Sequence, residues 1–126
     1  MDGSVTAEYI SEAMAECISL CGDCHDTCVE TLGHCLVQGG THASQDRIRA
    51  LADCKQVCDL TRDTLLRGSE LYARAVELCA EACTRCADAC RELGADDPMM
   101  DRCLDTCLCC AEACSAVGSA RRAKVA

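Results

Sequence analysis

The sequence predicts an all-α protein, an antiparallel up-down-up-down four-helix bundle with a cysteine-lined core. Three observations predict it. Glycines and helix-capping residues divide the 126-residue chain into four helical stretches. Cysteines recur at steps of four, three and four, which is a helical period. The usual core builders are scarce: there is no Phe or Trp and only Tyr9 and Tyr72, against sixteen Cys. A protonated thiol behaves as a small buried hydrophobe, so cysteine must supply much of the core.

The first helix is expected from about Thr6 to Val37, stopped by Gly39-Gly40, where glycine suits a left-handed cap. It is the longest, and its opening turns are expected to bend or separate as a short extra helical segment. The second starts near Ser44, with Asp46 in its first turn, and ends before Gly68. Ser69 offers an N-cap oxygen for the third, with Glu70 beside the positive helix end, and that helix runs to Leu93 before Gly94. Asp97 caps the fourth, and Pro98 takes its first position, where a missing N–H costs nothing. This helix is expected to fade near Gly118, leaving a loose basic tail over about 119–126 with Arg121, Arg122 and Lys124. Short connections between helices of similar length make neighbours antiparallel, and the length suits one domain spanning 1–126.

A formal net charge of -9 disfavours nucleic acid, whose phosphates call for a basic surface. No apolar stretch of the sequence reads as approaching the roughly 20 residues needed to span a bilayer. The opening MDGSVTAEYISEAM has no basic start, apolar run or small-residue cleavage site, which argues against a secretory signal. The expectation is a cytoplasmic protein. In that reducing compartment, dense cysteine points to metal binding or catalysis rather than a disulfide scaffold.

Cys17, Cys21, Cys24 and Cys28 follow CxxxCxxCxxxC, and Cys79, Cys83, Cys86 and Cys90 repeat it. So do Cys103, Cys107, Cys110 and Cys114; the second helix carries only Cys54 and Cys58. At about 100° per residue each set of four stays within a sector of roughly 60°. Cys35 returns to the face of Cys17, and only Cys109 falls away from its stripe. The Cys-Gly-Asp-Cys at Cys21 and Cys24 is therefore a slice of a ladder, and it lacks the βαβ context of a thioredoxin-type pair. The embedded CxxxCxxC of radical enzymes that use S-adenosylmethionine belongs on a loop of a larger barrel, whereas here it lies in helical pattern.

Fourteen cysteines form seven i,i+4 pairs: 17/21, 24/28, 54/58, 79/83, 86/90, 103/107 and 110/114. Such Cβ atoms lie about 5–6 Å apart, whereas a disulfide wants about 3.5–4.5 Å. Metal–thiolate bonds of about 2.3 Å let one ion bridge the wider spacing. Charge then favours a monovalent ion. A zinc held by four thiolates carries a net -2, and the expected inner faces hold no Lys or Arg to offset it. Many Cu(I) ions, each near one thiolate, leave almost no net charge, and thiolate softness selects Cu(I). A zinc or mixed-metal thiolate buffer stays open as an alternative. So does a CxxC redox or iron–sulfur protein, although no loop signature for a cluster is present. No Ser–His–Asp set or phosphate-binding glycine loop suggests an enzyme.

The bundle ends differ. Ile10, Met14, Leu65, Tyr72, Val76 and Val117 read as an apolar plug. The other end gathers Cys35, His34, His42, Cys90, Cys103, Met99 and Met100. Thioether and imidazole are ligands Cu(I) accepts, so metal is expected to pass there, with His34 and Met99 assisting. His42 reads as a solvated loop residue, and His25 and His34 lie off the main stripe. Leu104, Leu108 and Ala111 form a second apolar stripe on the fourth helix, a candidate subunit contact.

With cysteine ladders pointing inward from four helices, residues 17 to 114 resemble the cytosolic copper storage proteins. The resemblance implies a four-helix bundle filled with Cu(I) thiolates, usually a homotetramer, with CxxxC pairs as the main coordinating units and a His- or Met-lined mouth. Ligand roles carry over onto Cys17, Cys21, Cys24, Cys28, Cys35, Cys54, Cys58, Cys79, Cys83, Cys86, Cys90, Cys103, Cys107, Cys110 and Cys114. The partners expected are copper ions and a copper donor protein or small thiol.

Overall fold

The structure, a computed structural model, describes residues 6–125. Four α-helices follow one another: α1 (Glu12–Gln38), α2 (Gln45–Leu66), α3 (Tyr72–Gly94) and α4 (Pro98–Val125), with a 3-10 turn at Gly40–Ala43 between the first two. Each helix packs on the next in sequence, and α1 closes the ring on α4. No strand occurs among the described residues. This is the expected all-α four-helix bundle.

Local chemistry sets the ends. The Ser11 side chain accepts from the backbone N–H of Met14 at 3.2 Å and starts α1. Gly39, at φ 68°, returns its N–H to Cys35 O at 3.0 Å and stops it. Ser44 starts α2, accepting from Arg47 N–H at 3.3 Å. Gly68, at φ 67°, ends it in a Schellman motif: Ser69 N–H reaches Thr64 O at 2.9 Å, and Gly68 N–H reaches Leu65 O at 3.3 Å. Asp97 Oδ1 accepts from Met99 N–H at 3.0 Å, with Pro98 at the first position of α4.

Four expectations change. The first helix starts at Glu12 rather than Thr6. Before it the described residues hold no extra helical segment but a turn closed by Ile10 N–H on Ala7 O at 3.0 Å. That turn frees Tyr9 to donate its hydroxyl to Leu66 O at 2.6 Å. The third helix starts at Tyr72, three residues after Ser69, because Ser69 spends its side chain on a preceding turn, accepting from Leu71 N–H at 3.2 Å. The fourth helix continues through Gly118 to Val125, so the basic tail is helical as far as that residue. One glycine costs a helix about 1 kcal/mol, too little to stop a run of Ala, Arg and Lys. Finally, α4 is long and apolar enough by length and composition to cross a bilayer, which the sequence reading did not expect. Thiols and alanines supply much of that apolarity, and Cys103, Cys107, Cys110, Ala113 and Cys114 are buried in the bundle.

Candidate metal centre

Fifteen cysteines are sealed from solvent: Cys114 is 1% exposed and the others 0%. Only Cys109 is exposed, and all sixteen thiols are free. The sulfurs meet across helices. Cys17 lies 3.6 Å from Cys114, and Cys21 lies 3.8 Å from Cys110. At mid-height Cys24 touches Cys54 at 3.7 Å, Cys107 at 3.8 Å and Cys83 at 4.0 Å, so one sulfur of α1 meets all three other helices. Cys58 sits 3.8 Å from Cys79, and Cys28 sits 3.9 Å from Cys86. These separations are far from a bonded disulfide of about 2.05 Å. Two sulfurs sharing one ion at about 2.3 Å bonds stand roughly 3.8 Å apart at a tetrahedral angle and about 4.0 Å at a trigonal one. The column is thus already spaced for bridging ions.

Sulfur foursomes lie within 4.8 Å of one another: Cys21, Cys58, Cys79, Cys110; Cys24, Cys28, Cys54, Cys107; Cys24, Cys54, Cys58, Cys83; and Cys28, Cys86, Cys103, Cys107. Of these four sets, no more than two at a time avoid sharing a sulfur. Isolated tetrahedral ions would therefore use the column poorly, while ions bridged by shared thiolates use all of it.

Proton positions are shared in the same way. Cys17 is pulled below the usual thiol range, first by the S–H of Cys114 and then by that of Cys21. Cys114 is pushed up, first by Cys110 and then by Cys17. A thiolate next to a thiol is stabilised by it, and a second ionisation is resisted. Away from the column, burial pushes the Cys35 thiol up, partly offset by the positive charge of Arg47. A monovalent cation replacing each proton keeps the charge balance that burial demands.

The ladder has three substitutions on its own register that the thiol spacing did not announce. Thr31, fully buried, takes the step between Cys28 and Cys35, and its hydroxyl is spent on Thr27 O at 2.7 Å. Thr61 takes the step after Cys58 and donates to Ala75 O at 3.1 Å. Leu51 fills the position before Cys54. One end is stopped as expected: Leu65, Val76 and Val117 are buried, with Ile10, Met14 and Tyr72 half-buried.

At the other end Met100, not Met99, turns into the core, with its sulfur 3.6 Å from Cys35 Sγ. Met99 is half-buried. His34 Nε2 stands 2.7 Å from Asp97 Oδ2 and His42 Nε2 stands 2.8 Å from the same oxygen. His42 is therefore no solvated loop residue. The hydrogen bonds from His34 and then His42 hold the Asp97 carboxyl well below the usual range. His25 is half-buried on α1, 3.0 Å from Asp26 and 3.3 Å from Asp59, away from this group.

Arg47 corrects the expectation of an inner face free of basic residues: it is 5% exposed. Its guanidinium donates to Thr41 O, to Ala89 O at 2.8 Å and to Glu92 at 3.3 Å, so it binds the 3-10 turn to the end of α3. The sequence signal that could have found Asp97 and Arg47 is weak, since Asp97 also reads as an ordinary helix cap and Arg47 as an ordinary first-turn residue.

Fold and site define a class: helical bundles that hold soft metal ions on an internal column of thiolates. The chain matches the copper storage protein family over residues 10–119 and belongs to it. Its function is copper storage. Among solved structures it is similar to a Nitrosospira multiformis protein, at 33% identity over 86% of this chain and 96% of that one, with a TM-score of 0.80. It is also similar to the Streptomyces lividans copper storage protein Ccsp loaded with 10 copper equivalents: 26% identity, 93% and 92% coverage, TM-score 0.82. A double His-to-Ala variant of the same Ccsp matches at 28% identity, 86% and 94% coverage, TM-score 0.80. No curated protein sequence matches the chain.

Proposed function

We propose that the protein stores and buffers many Cu(I) ions in the cytoplasm, without catalysis, on Cys17, Cys21, Cys24, Cys28, Cys35, Cys54, Cys58, Cys79, Cys83, Cys86, Cys90, Cys103, Cys107, Cys110 and Cys114. The observation that carries this reading is the contact of buried sulfurs across all four helices, with Cys24 alone meeting three of them at 3.7–4.0 Å. Overlapping foursomes favour shared, singly charged ions over separate zinc sites. Copper enters at the Cys35–Met100 end, delivered by a donor protein or small thiol, with His34 and Met99 beside the path. The subunit assembles as a homo-oligomer, a tetramer by its resemblance to the family. The stripe expected to make that contact is partly used within the subunit, because Leu104 and Ala111 pack against the core and only Leu108 is exposed.

The test is titration of the fully reduced protein with Cu(I), and separately with Zn(II), against competing chelators. A copper capacity near or above the number of buried thiols is expected. A few tight zinc sites with low copper capacity would overturn the reading.

A further inference from the structure

The atoms above Cys35 and Met100 differ in kind from those below. His34 Nε2 and His42 Nε2 converge on one oxygen of Asp97 at 2.7 and 2.8 Å. The two rings meet edge to face, with centroids 5.6 Å apart. All three side chains are largely withdrawn from water, at 22%, 20% and 16% exposure. Nothing in the copper column uses them as built: both imidazoles are engaged by the carboxylate, and although Cu(I) accepts imidazole, a carboxylate oxygen is a poor ligand for it. They are a good set for a divalent transition ion.

We propose that His34, His42 and Asp97 form a separate site for one divalent borderline ion such as Zn(II), Co(II) or Ni(II), seated over the mouth of the thiol column and closing it.

Geometry supports the seat. Ligand atoms about 2.1 Å from an ion stand roughly 3.0 Å apart on an octahedral edge and about 3.4 Å apart on a tetrahedral one. From 2.7 and 2.8 Å, each nitrogen reaches the octahedral edge by drawing back about 0.2–0.3 Å from the carboxylate oxygen, and the tetrahedral edge by about 0.6–0.7 Å. The ligands are also held in place. Asp97 Oδ1 is occupied by Met99 N–H at 3.0 Å and Met100 N–H at 3.4 Å, which leaves Oδ2 for the site. His34 stands in the last turns of α1, and His42 stands in the 3-10 turn that Arg47 fastens to α3. The nearby Arg47 charge is itself paired with Glu92 at 3.3 Å. An ion here staples α1, the 3-10 turn and the start of α4 across the passage. Imidazole and carboxylate outside and thiolate inside sort the two metals: the divalent ion stays at the rim, and copper passes to sulfur. The proposal rests on that end being the copper passage, but its binding test does not.

The test uses the intact protein saturated with Cu(I), so that the thiols are occupied, and titrates it with Co(II). About one equivalent should bind with ligand-field bands and no thiolate-to-cobalt charge transfer. His42→Ala and Asp97→Asn should each weaken binding by more than about tenfold. Asn keeps the helix cap, so the second variant answers the objection that the first merely misfolds. His25→Ala should bind as the parent does. With Zn(II) at the rim, withdrawal of Cu(I) by a chelator should slow severalfold, and Asp97→Asn should abolish the slowing. Absence of Co(II) binding, binding indifferent to both variants, or sulfur-to-cobalt bands would overturn the site. Binding without slower withdrawal would overturn the closure. A failure of copper storage itself appears earlier, as low Cu(I) capacity before any Co(II) is added.

Discussion

Cys24 and Cys109 carry the same functional group in opposite settings. Cys24 bridges toward three helices, whereas Cys109 faces water. Cys24→Ala is expected to lower Cu(I) capacity in a chelator-competition titration. Cys109→Ala should leave capacity unchanged and shift unfolding free energy by less than about 0.5 kcal/mol. Thr31 makes the complementary case. It occupies a ladder step and turns its hydroxyl back to its own helix at 2.7 Å. Thr31→Cys therefore places a sulfur between Cys28 and Cys35 and should raise capacity in the same titration. At this scale the sequence was most legible: the 4-3-4 spacing names twelve inward thiols, and the Cys54/Cys58 pair and Cys35, which returns to the face of Cys17, complete the fifteen. Met100 was harder to read. Met99 and Met100 flank the inward line almost equally, and the cap at Asp97 decides which one turns in.

Helix boundaries were legible where one residue acts alone and obscure where a distant contact competes. Gly39 and Gly68 hold positive φ, and their role follows from the missing Cβ. The start of α1 rests on the local Ser11 cap, but the turn before it does not follow from its own residues, because Tyr9 is drawn to Leu66 on α2. The end of α4 was missed for the reverse reason: Gly118 reads as a stop, but the helix formers after it outweigh one glycine. Two glycines give a paired prediction. At Gly68 an added Cβ would lie 3.1 Å from the Tyr9 ring in a left-handed backbone, so Gly68→Ala should destabilise the protein by about 1–2 kcal/mol. At Gly33, inside α1, nothing lies within 4 Å, and Gly33→Ala should stabilise by about 0.5–1 kcal/mol. Thermal unfolding of the copper-free variants reads both.

For the whole molecule, buried thiols tie stability to pH. Burial raises the Cys35 thiol, with Arg47 opposing. A group whose pKa is raised on folding lends stability that is complete below its unfolded value, about 8.5 for cysteine, and is lost as pH climbs through the folded value. The reduced, copper-free bundle should therefore hold its denaturation midpoint up to about pH 8 and lose it at more alkaline pH. Copper displaces those protons and binds only the folded column, so loading should raise the midpoint and release acid, both measurable in unbuffered titration. One consequence of the sulfur contacts concerns history. From Cys17 and Cys114 to Cys86 and Cys103, neighbouring sulfurs are never more than 4.8 Å apart, so the column is a percolating lattice with no private compartments. A heavy isotope of copper supplied last would diffuse through the entire load, and what leaves first would carry no memory of when it arrived.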